Sequence, residues 1–215
     1  MASWIEPLVG QKSYLLVSPQ QFEICAWQAD GLPKYDIAWV KQQHPRRMCL
    51  FWGHHQSQAG IVDKSSLSQW YPSSFVYRGE QYCCAEQFMM ACKAELFGDL
   101  DIKERLLLSK EPKLIKALGR QVSNFDQELW DKFKHSIVLM GNWCKFSQNP
   151  DLADFLLSTH NRLLVEASPV DKIWGIGLAA DHEDATNINK WRGLNLLGFA
   201  LMEVRDELKR VRESS

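Results

Sequence analysis

The chain has 215 residues and a formal net charge of −1 at pH 7, with 46% hydrophobic and 24% charged residues. This composition supports a packed core in one domain, and the near-neutral charge gives no overall field for long duplex nucleic acid or an anionic membrane. The sequence contains no run of 18 apolar residues, and its beginning lacks the basic-then-apolar pattern of a secretory signal. We therefore expect a cytoplasmic protein with no membrane contact.

Residues 1–47 are predicted to be an N-terminal elaboration. Two short strands are expected at residues 14–17 and 22–27, on either side of a Ser18-Pro19 turn. The apolar run MCLFW at residues 48–52 is bounded by Pro45-Arg46-Arg47 and Gly53, which predicts a buried strand. The main domain is placed at residues 48–215.

A hairpin and a helix are predicted next. Residues 75–77 and 81–83 flank Arg78-Gly79-Glu80, the composition of a tight turn. Residues 84–98 then predict a helix, because apolar side chains recur at steps of three and four. The pattern places three polar side chains on its solvent side and uses Gly98 as the C-cap. These polar side chains are Gln87, Lys93 and Glu95.

The remainder of the chain is predicted to be mostly helical. Asp126 is the expected N-cap of a long helix, and the last helix carries leucines and valines at alternating steps of three and four, which favours a core-facing helix over a coiled coil. The helices are expected at residues 103–109, 112–119, 127–144, 150–159 and 194–211, with a strand at 163–167. The fold class is therefore α+β, a predominantly helical single domain with a small antiparallel sheet.

No metal or cofactor site is predicted. The six cysteines are scattered, no CxxC pair occurs, and His54 and His55 are adjacent. This spacing does not suit zinc and favours reduced thiols in a cytosolic protein.

Two acidic residues lie beside aromatic ones. Glu86 begins the helix at residues 84–98, where the helix dipole favours an acid in any protein, so a capping role and a chemical role both fit. Asp171 lies in a turn punctuated by proline and glycine, close to Trp174, where an aspartate often bonds its own backbone. The residues alone leave both alternatives open.

These residue types suit the cleavage of a glycosidic bond. A carboxylate stabilises the positive charge that develops on the sugar, and a second carboxyl group activates water or protonates the leaving group. An indole can stack on a nucleobase, and Lys93, Arg120 or Lys145 can pair with a phosphate. Composition and spacing therefore indicate either a glycosidase or a nucleotide-binding domain.

The order of several motifs resembles the NADAR domain, also called the YbiA-like family, over about residues 48–211. The most specific are AEQ-x5-K-A at residue 85 onward and VEAS-x2-D-x2-WGIG at residue 165 onward. The other matching segments are FWGHH (51–55), LSQWYPSSF (67–75), KALGRQVSNFD (116–126), W-x3-K (130–134), KFSQNPDLADFLLST (145–159) and WRGLNLLGFALMEVR (191–205).

The resemblance implies an N-glycosidase without metal or cofactor. It implies a phosphoribosyl or ADP-ribosyl substrate, either a riboflavin-pathway ribosylamino-pyrimidine phosphate or ADP-ribose attached to guanine in nucleic acid. Its active-site positions correspond to Glu86, Trp130 and Asp171. Further substrate-binding candidates are Trp52, Gln69, Trp70, Lys93, Trp174 and Asn195.

One departure concerns the segment before the hairpin. Ser68-Gln69-Trp70 stands where the family has an SNF-like tripeptide, which affects the expected substrate preference more than the reaction type. The rival hypothesis is a non-catalytic module that binds NAD or ADP-ribose. A purely structural protein has only the terminal leucine pattern in its favour, and the sequence does not determine the oligomeric state.

Overall fold

We describe the fold from a computed structural model. The structure describes the backbone of strands 13–17 and 22–26 and residues 33–43, 47–56, 58 and 60–214. Contacts divide these residues into two compact units. The first unit contains the two N-terminal strands and Pro72–Gln148, and the second contains Pro33–Tyr71 and Asn149–Ser215.

Helices dominate the described residues. The α-helices are α1 (Ile37–Gln43), α2 (Ala85–Leu96), α3 (Leu100–Leu108), α4 (Pro112–Gln121), α5 (Gln127–Ser147), α6 (Pro150–Ser158) and α7 (Leu196–Glu213). The strands are β1 (Ser13–Val17), β2 (Phe22–Ala26), β3 (Met48–Phe51), β4 (Phe75–Tyr77), β5 (Glu80–Tyr82) and β6 (Leu163–Glu166). Short 3₁₀ helices occur at Lys64–Leu67 and Ile188–Lys190.

In the first unit, the antiparallel β4–β5 hairpin packs on α2. Arg78 and Gly79 at the turn both have positive φ, 50° and 81°, which matches the turn that the right-handed twist of a hairpin favours. The ring of Phe88 on α2 contacts aromatic rings from both strands. A Cβ atom at Gly141 of α5 would lie 2.7 Å from this Phe88 ring, so α5 approaches α2 closely because residue 141 has no side chain.

The ends of α2 follow local rules, with one difference from the predicted pattern. Gly98 (φ 72°) and Asp99 donate to the carbonyls of Glu95 and Ala94, so the predicted glycine C-cap is confirmed. Gln87 was expected on the solvent side, and this expectation was wrong, since the side chain is buried. Its amide is satisfied internally, because Oε1 accepts from the Cys83 N–H at 2.7 Å and Nε2 donates to the Ser109 carbonyl at 2.7 Å.

In the second unit, β3 and β6 form a parallel pair beside α7. Phe51 pairs with Glu166 at the carboxyl ends of the two strands. The predicted core-facing stripe of the last helix is confirmed for four residues, Leu197, Leu201, Val204 and Leu208, which are all buried. Leu194, at the start of the predicted helix, is instead 48% exposed and precedes α7, which begins at Leu196.

The predicted class, a predominantly helical α+β protein with a small antiparallel sheet, is confirmed. The sequence did not predict α1, the 3₁₀ turn at Lys64–Leu67 or the parallel pairing of β3 with β6. The predicted Ser18-Pro19 turn and the strand end at Trp27 lie outside the described residues. The boundary at residue 48 stays a prediction. In the part that the structure describes, no helix is long and apolar enough to cross a membrane.

Candidate active site

Glu86 lies in the first turn of α2, and its side chain is half-buried. The N-cap residue Cys84 makes no side-chain capping bond, so the helix N-terminus is not occupied by a capping side chain from that position. The unpaired N–H groups of a first turn favour a negative charge. The sequence therefore places a carboxylate where α2 itself stabilises it.

Lys93 and Trp130 were predicted separately, and the structure brings them together. The Lys93 Nζ atom lies 5.9 Å from the centre of the Trp130 ring and 4.5 Å from that of Phe125. It also donates to the Gly119 carbonyl at 2.9 Å. Burial lowers the pKa of Lys93. The result is a half-buried cation held against two aromatic rings.

Glu86 and Lys93 share one face of α2. They are seven residues apart, which is two helical turns or roughly 10 Å along the axis. Met90 lies between them on the same face and packs against Gly119, where a Cβ atom would come within 2.1 Å of the Met90 sulfur. This face therefore presents an acid at one end and a cation with two aromatic rings at the other.

Lys145 on α5 is fully buried in the same unit. Burial lowers the pKa of Lys145 to about 7, and its electrostatic interaction with Cys84 acts in the opposite direction. The sequence named Lys145 only as a candidate phosphate partner. The sequence signal for its burial is its position on the long helix, directly after Cys144 of the predicted buried stripe.

The adjacent thiols of Cys83 and Cys84 lie directly before α2, with their sulfur atoms 3.9 Å apart. The hydrogen bond between them lowers the pKa of Cys83 to about 7 and raises that of Cys84, whose burial acts in the same direction. Cys83 therefore ionises more readily than Cys84. Both thiols lie close to the candidate acid Glu86 in the sequence.

Asp171 organises a tight turn in the second unit. Its Oδ1 atom accepts from the backbone N–H groups of Ile173 and Trp174, both at 2.8 Å, and its own N–H donates to Ser168 Oγ at 3.1 Å. This is the backbone-bonding alternative for an aspartate in a turn. The Oδ2 atom accepts no hydrogen bond from the part of the chain that the structure describes, and the side chain is half-buried.

Glycines allow other segments to close over this turn. A Cβ atom at Gly175 would lie 2.8 Å from the Glu166 carbonyl oxygen, and one at Gly193 would lie 2.3 Å from the Gly175 carbonyl oxygen. The backbone N–H groups of Leu196 and Leu197 donate to the carbonyls of Ile173 and Trp174. The start of α7 therefore fixes the half-buried Trp174.

Asn195 is fully buried and links β6 to α7. Its Oδ1 atom accepts from the Glu166 N–H, and its Nδ2 atom donates to the Leu164 carbonyl, both at 2.9 Å. Its φ of 55° is in the left-handed region, which asparagine tolerates better than most residues. These contacts give Asn195 a positioning role in the turn, while its predicted contact with substrate stays a prediction.

The other candidates of the second unit follow β3. Trp52 comes directly after this strand and is 58% exposed, and the Ala167 N–H donates to the Phe51 carbonyl. Trp52 follows the carboxyl end of β3, and the Asp171 turn follows the carboxyl end of β6. Because the two strands are parallel, both segments begin at the same end of the pair. Gln69 is buried and Trp70 half-buried, both after the 3₁₀ turn.

The described residues contain no cluster of three or more His, Cys, Asp or Glu side chains that could hold a metal ion. The candidate residues of the first unit are a carboxylate, an amine and an indole, and those of the second unit include a carboxylate and three indoles.

The chain belongs to the NADAR domain family, whose model matches residues 50–209. It is 52% identical to "N-glycosidase R617" of Acanthamoeba polyphaga mimivirus, over 74% of this chain and 94% of that protein. It is 36% identical to "Riboflavin biosynthesis protein PYRR, chloroplastic" of Zea mays, over 50% of this chain but only 16% of that protein.

A solved structure shows the same fold. The NMR structure of the E. coli protein YbiA aligns with a TM-score of 0.65 and 22% identity, covering 80% of this chain and 90% of that one. The family model and the 52% identical relative confirm the family membership predicted from the motifs.

Proposed function

We propose that this protein is an N-glycosidase that hydrolyses the bond between a phosphorylated ribose and a nitrogen heterocycle. Membership in the NADAR family and the similarity to a protein named N-glycosidase, along almost its whole length, support the reaction class. The structural observation that carries the proposal is the half-buried Glu86 carboxylate in the first turn of α2.

Hydrolysis of an N-glycosidic bond needs a negative charge near the anomeric carbon. Positive charge builds up on the sugar as the heterocycle leaves, and water then attacks the same carbon. A carboxylate near the anomeric carbon can stabilise that charge and accept a proton from the attacking water. We assign these two tasks to Glu86.

We assign recognition of the substrate to the Lys93 end of the same face of α2. Trp130 offers an indole ring for stacking on a heterocycle, and Lys93 offers a cation for a phosphate. Both side chains are half-buried, so part of each remains accessible to a ligand from solvent. A small nucleotide or ADP-ribosyl group satisfies both residues.

Asp171 is the second proposed catalytic acid. Two backbone N–H groups fix the orientation of its carboxylate through Oδ1, which leaves Oδ2 for a ligand. The proposed substrate contacts of this unit are Trp174 in the same turn and Trp52, Gln69 and Trp70 after β3. Among these, the exposed ring of Trp52 is the most accessible to a ligand.

The riboflavin-pathway substrate and ADP-ribosylated guanine remain the two proposed substrate classes. The similarity to a protein named for riboflavin biosynthesis supports the first, although it concerns a small part of that protein. The net charge of −1 favours a substrate the size of one nucleotide, or a base on a single strand, over a long duplex.

The test is a base-release assay by liquid chromatography. Purified protein is offered a ribosylamino-pyrimidine phosphate, NAD, ADP-ribose and an oligonucleotide carrying ADP-ribose on guanine. We expect release of the heterocycle from one of the glycosidic substrates. Tight binding of ADP-ribose without any release would instead support the non-catalytic binding module, and neither release nor binding would contradict both.

A further inference from the structure

The second unit contains a cavity of about 430 Å³ that the candidate catalytic residues do not line. Its lining includes Tyr35 just before α1, Trp39 on α1, residues within 157–161 at the end of α6, and Arg205 and Lys209 on α7. This volume lies within the range of roughly 300–1,000 Å³ typical of small-molecule sites.

A buried arginine faces this cavity. Arg205 is only 6% exposed, and its Nη1 atom donates to Thr159 Oγ1 and to the Arg162 carbonyl, both at 2.9 Å. Thr159 is itself fixed, because its hydroxyl donates to the Leu156 carbonyl. Both acceptors of Arg205 are neutral, and no carboxylate among the described residues forms an ion pair with it. The guanidinium therefore keeps its positive charge uncompensated by a direct contact.

The nearby acid is already engaged. Asp206 accepts hydrogen bonds from Lys34 Nζ and from the Tyr35 hydroxyl, so its charge is balanced by that lysine. Lys209 adds a second cation to the lining, and its contact with Glu213 is long, 3.8 Å, and exposed. Among the residues that line the cavity, Arg205 and Lys209 are positive and Asp206 is negative, so the lining has an excess of positive charge that favours an anionic ligand.

Two aromatic residues, Tyr35 and Trp39, also line the cavity. The rings of Tyr35 and Trp39 lie 4.5 Å apart at an angle of 61°, and both side chains are half-buried. Tyr35 is held in place by its bond to Asp206, so one ring is fixed and the half-buried indole beside it borders the open space. Fixed aromatic rings beside cations form a surface on which a flat heterocycle can stack while its phosphate meets a guanidinium.

This cavity is distinct from the Asp171 turn. Arg205 lies nine residues after Leu196, where α7 begins against that turn, which corresponds to roughly 14 Å along the helix axis. Tyr35 and Trp39 also precede the residues matched by the family model. The site therefore combines a segment that precedes the matched residues with the middle turns of α7.

We propose that this cavity is a second, non-catalytic binding site for a nucleoside monophosphate, with Trp39 stacking on the base and Arg205 and Lys209 holding the phosphate. AMP is the probe. An azidoadenine analogue of AMP is photo-crosslinked to the full chain, and tryptic peptides are mapped by mass spectrometry. The expected label lies on the peptide of residues 35–41, which contains Tyr35 and Trp39. Label only on other peptides would overturn the proposal.

Variants distinguish this site from the candidate active site. Lys209→Glu and Trp39→Ala should each weaken AMP binding at this site about tenfold by calorimetry, and Lys209→Glu should reduce the label on the peptide to the same extent. Lys113→Glu is the matched control, since Lys113 is exposed on α4 of the other unit. The Glu86→Gln protein should keep the label, so failure of the proposed glycosidase leaves this test intact.

Two further ligands test the proposed chemistry. Adenosine and inorganic phosphate should each bind at least tenfold more weakly than AMP, because each lacks one of the two recognised groups. Phosphate binding as tightly as AMP would contradict the stacking role of Trp39. Equal loss of binding in Lys209→Glu and Lys113→Glu would show a non-specific charge effect and overturn the site.

Discussion

The Oδ1 atom of Asp171 accepts a hydrogen bond of 2.8 Å from the backbone N–H of Trp174, three residues later in the same turn. One carboxylate oxygen thus positions the backbone of the indole residue, while the other takes no part in these two hydrogen bonds. A structural role and a catalytic role are therefore compatible for this residue, and they can be separated by substitution.

Asparagine at position 171 keeps an acceptor at Oδ1 but removes the charge. We expect Asp171→Asn to retain the turn and its stability and to lose about 100-fold or more in base release, the scale of a lost acid–base group. Asp171→Ala removes the acceptor as well and should also lower the free energy of unfolding by about 1–3 kcal/mol. Turnover assays and urea unfolding measure the two effects. Full activity in Asp171→Asn would restrict Asp171 to the turn.

Glu86→Gln should reduce base release by about 100-fold or more, because the nearly isosteric amide can neither accept the proton of water nor stabilise positive charge on the sugar. The variant should still fold, as measured by circular dichroism, and thermal unfolding should show a loss of at most about 1 kcal/mol, because the first turn of α2 favours a negative charge. Glu104→Gln is the control, since Glu104 is an exposed acid on α3. Wild-type turnover in Glu86→Gln would make the catalytic assignment wrong.

Trp130→Leu should raise KM about tenfold, because stacking of a base on an aromatic ring contributes about 1–3 kcal/mol. Trp130→Phe retains a ring and should lie between the wild type and Trp130→Leu. Steady-state kinetics with the substrate found in the release assay measure both variants. A fall in kcat with unchanged KM in Trp130→Leu would contradict a role in substrate binding.

The buried Lys145 makes stability depend on pH. In the unfolded chain the lysine is protonated at any pH below its ordinary pKa of 10.5, whereas in the folded protein burial lowers the pKa to about 7. Folding therefore releases a proton between these values, and the free energy of unfolding should rise between pH 7 and pH 9 by about 1 kcal/mol per pH unit.

Lys145→Met removes this titrating group, so the stability gain between pH 7 and pH 9 should be smaller in the variant than in the wild type. Urea unfolding at both pH values measures the difference. The control is Lys132→Met, an exposed lysine of the same helix, which should keep the wild-type pH dependence. An identical pH dependence in wild type and Lys145→Met would refute the lowered pKa.

Gln87→Leu should lower the free energy of unfolding by about 3 kcal/mol. The leucine leaves the Cys83 N–H and the buried carbonyls at the end of α3 without their partner, and each such group is costly. Gln121→Leu, at an exposed position on α4, should change stability by about 0.5 kcal/mol or less. Similar values for the two variants would show that the Gln87 network contributes little.

The sequence by itself determined the elements that local rules govern. Asp126 begins α5 because its carboxylate accepts from the Leu129 N–H, and Gly98 ends α2 because it adopts positive φ. The stripe of Leu197, Leu201, Val204 and Leu208 is periodic, and the family motifs are contiguous. Capping, turn and periodicity signals depend only on residues that are close together in the sequence, so they can be recognised without the structure.

Only the tertiary structure decided the contacts between distant segments. Glutamine is a residue type usually found at the surface, yet Gln87 is buried. Its amide donates to the carbonyls at the end of α3, a contact between distant segments. Lys145 lies in a motif that suits phosphate binding, yet the packing of α5 removes it from water. Arg205 and Trp39 are 166 positions apart, and no local pattern links them. Burial and charge balance depend on what the folded chain places beside each group, which is why those properties required the structure.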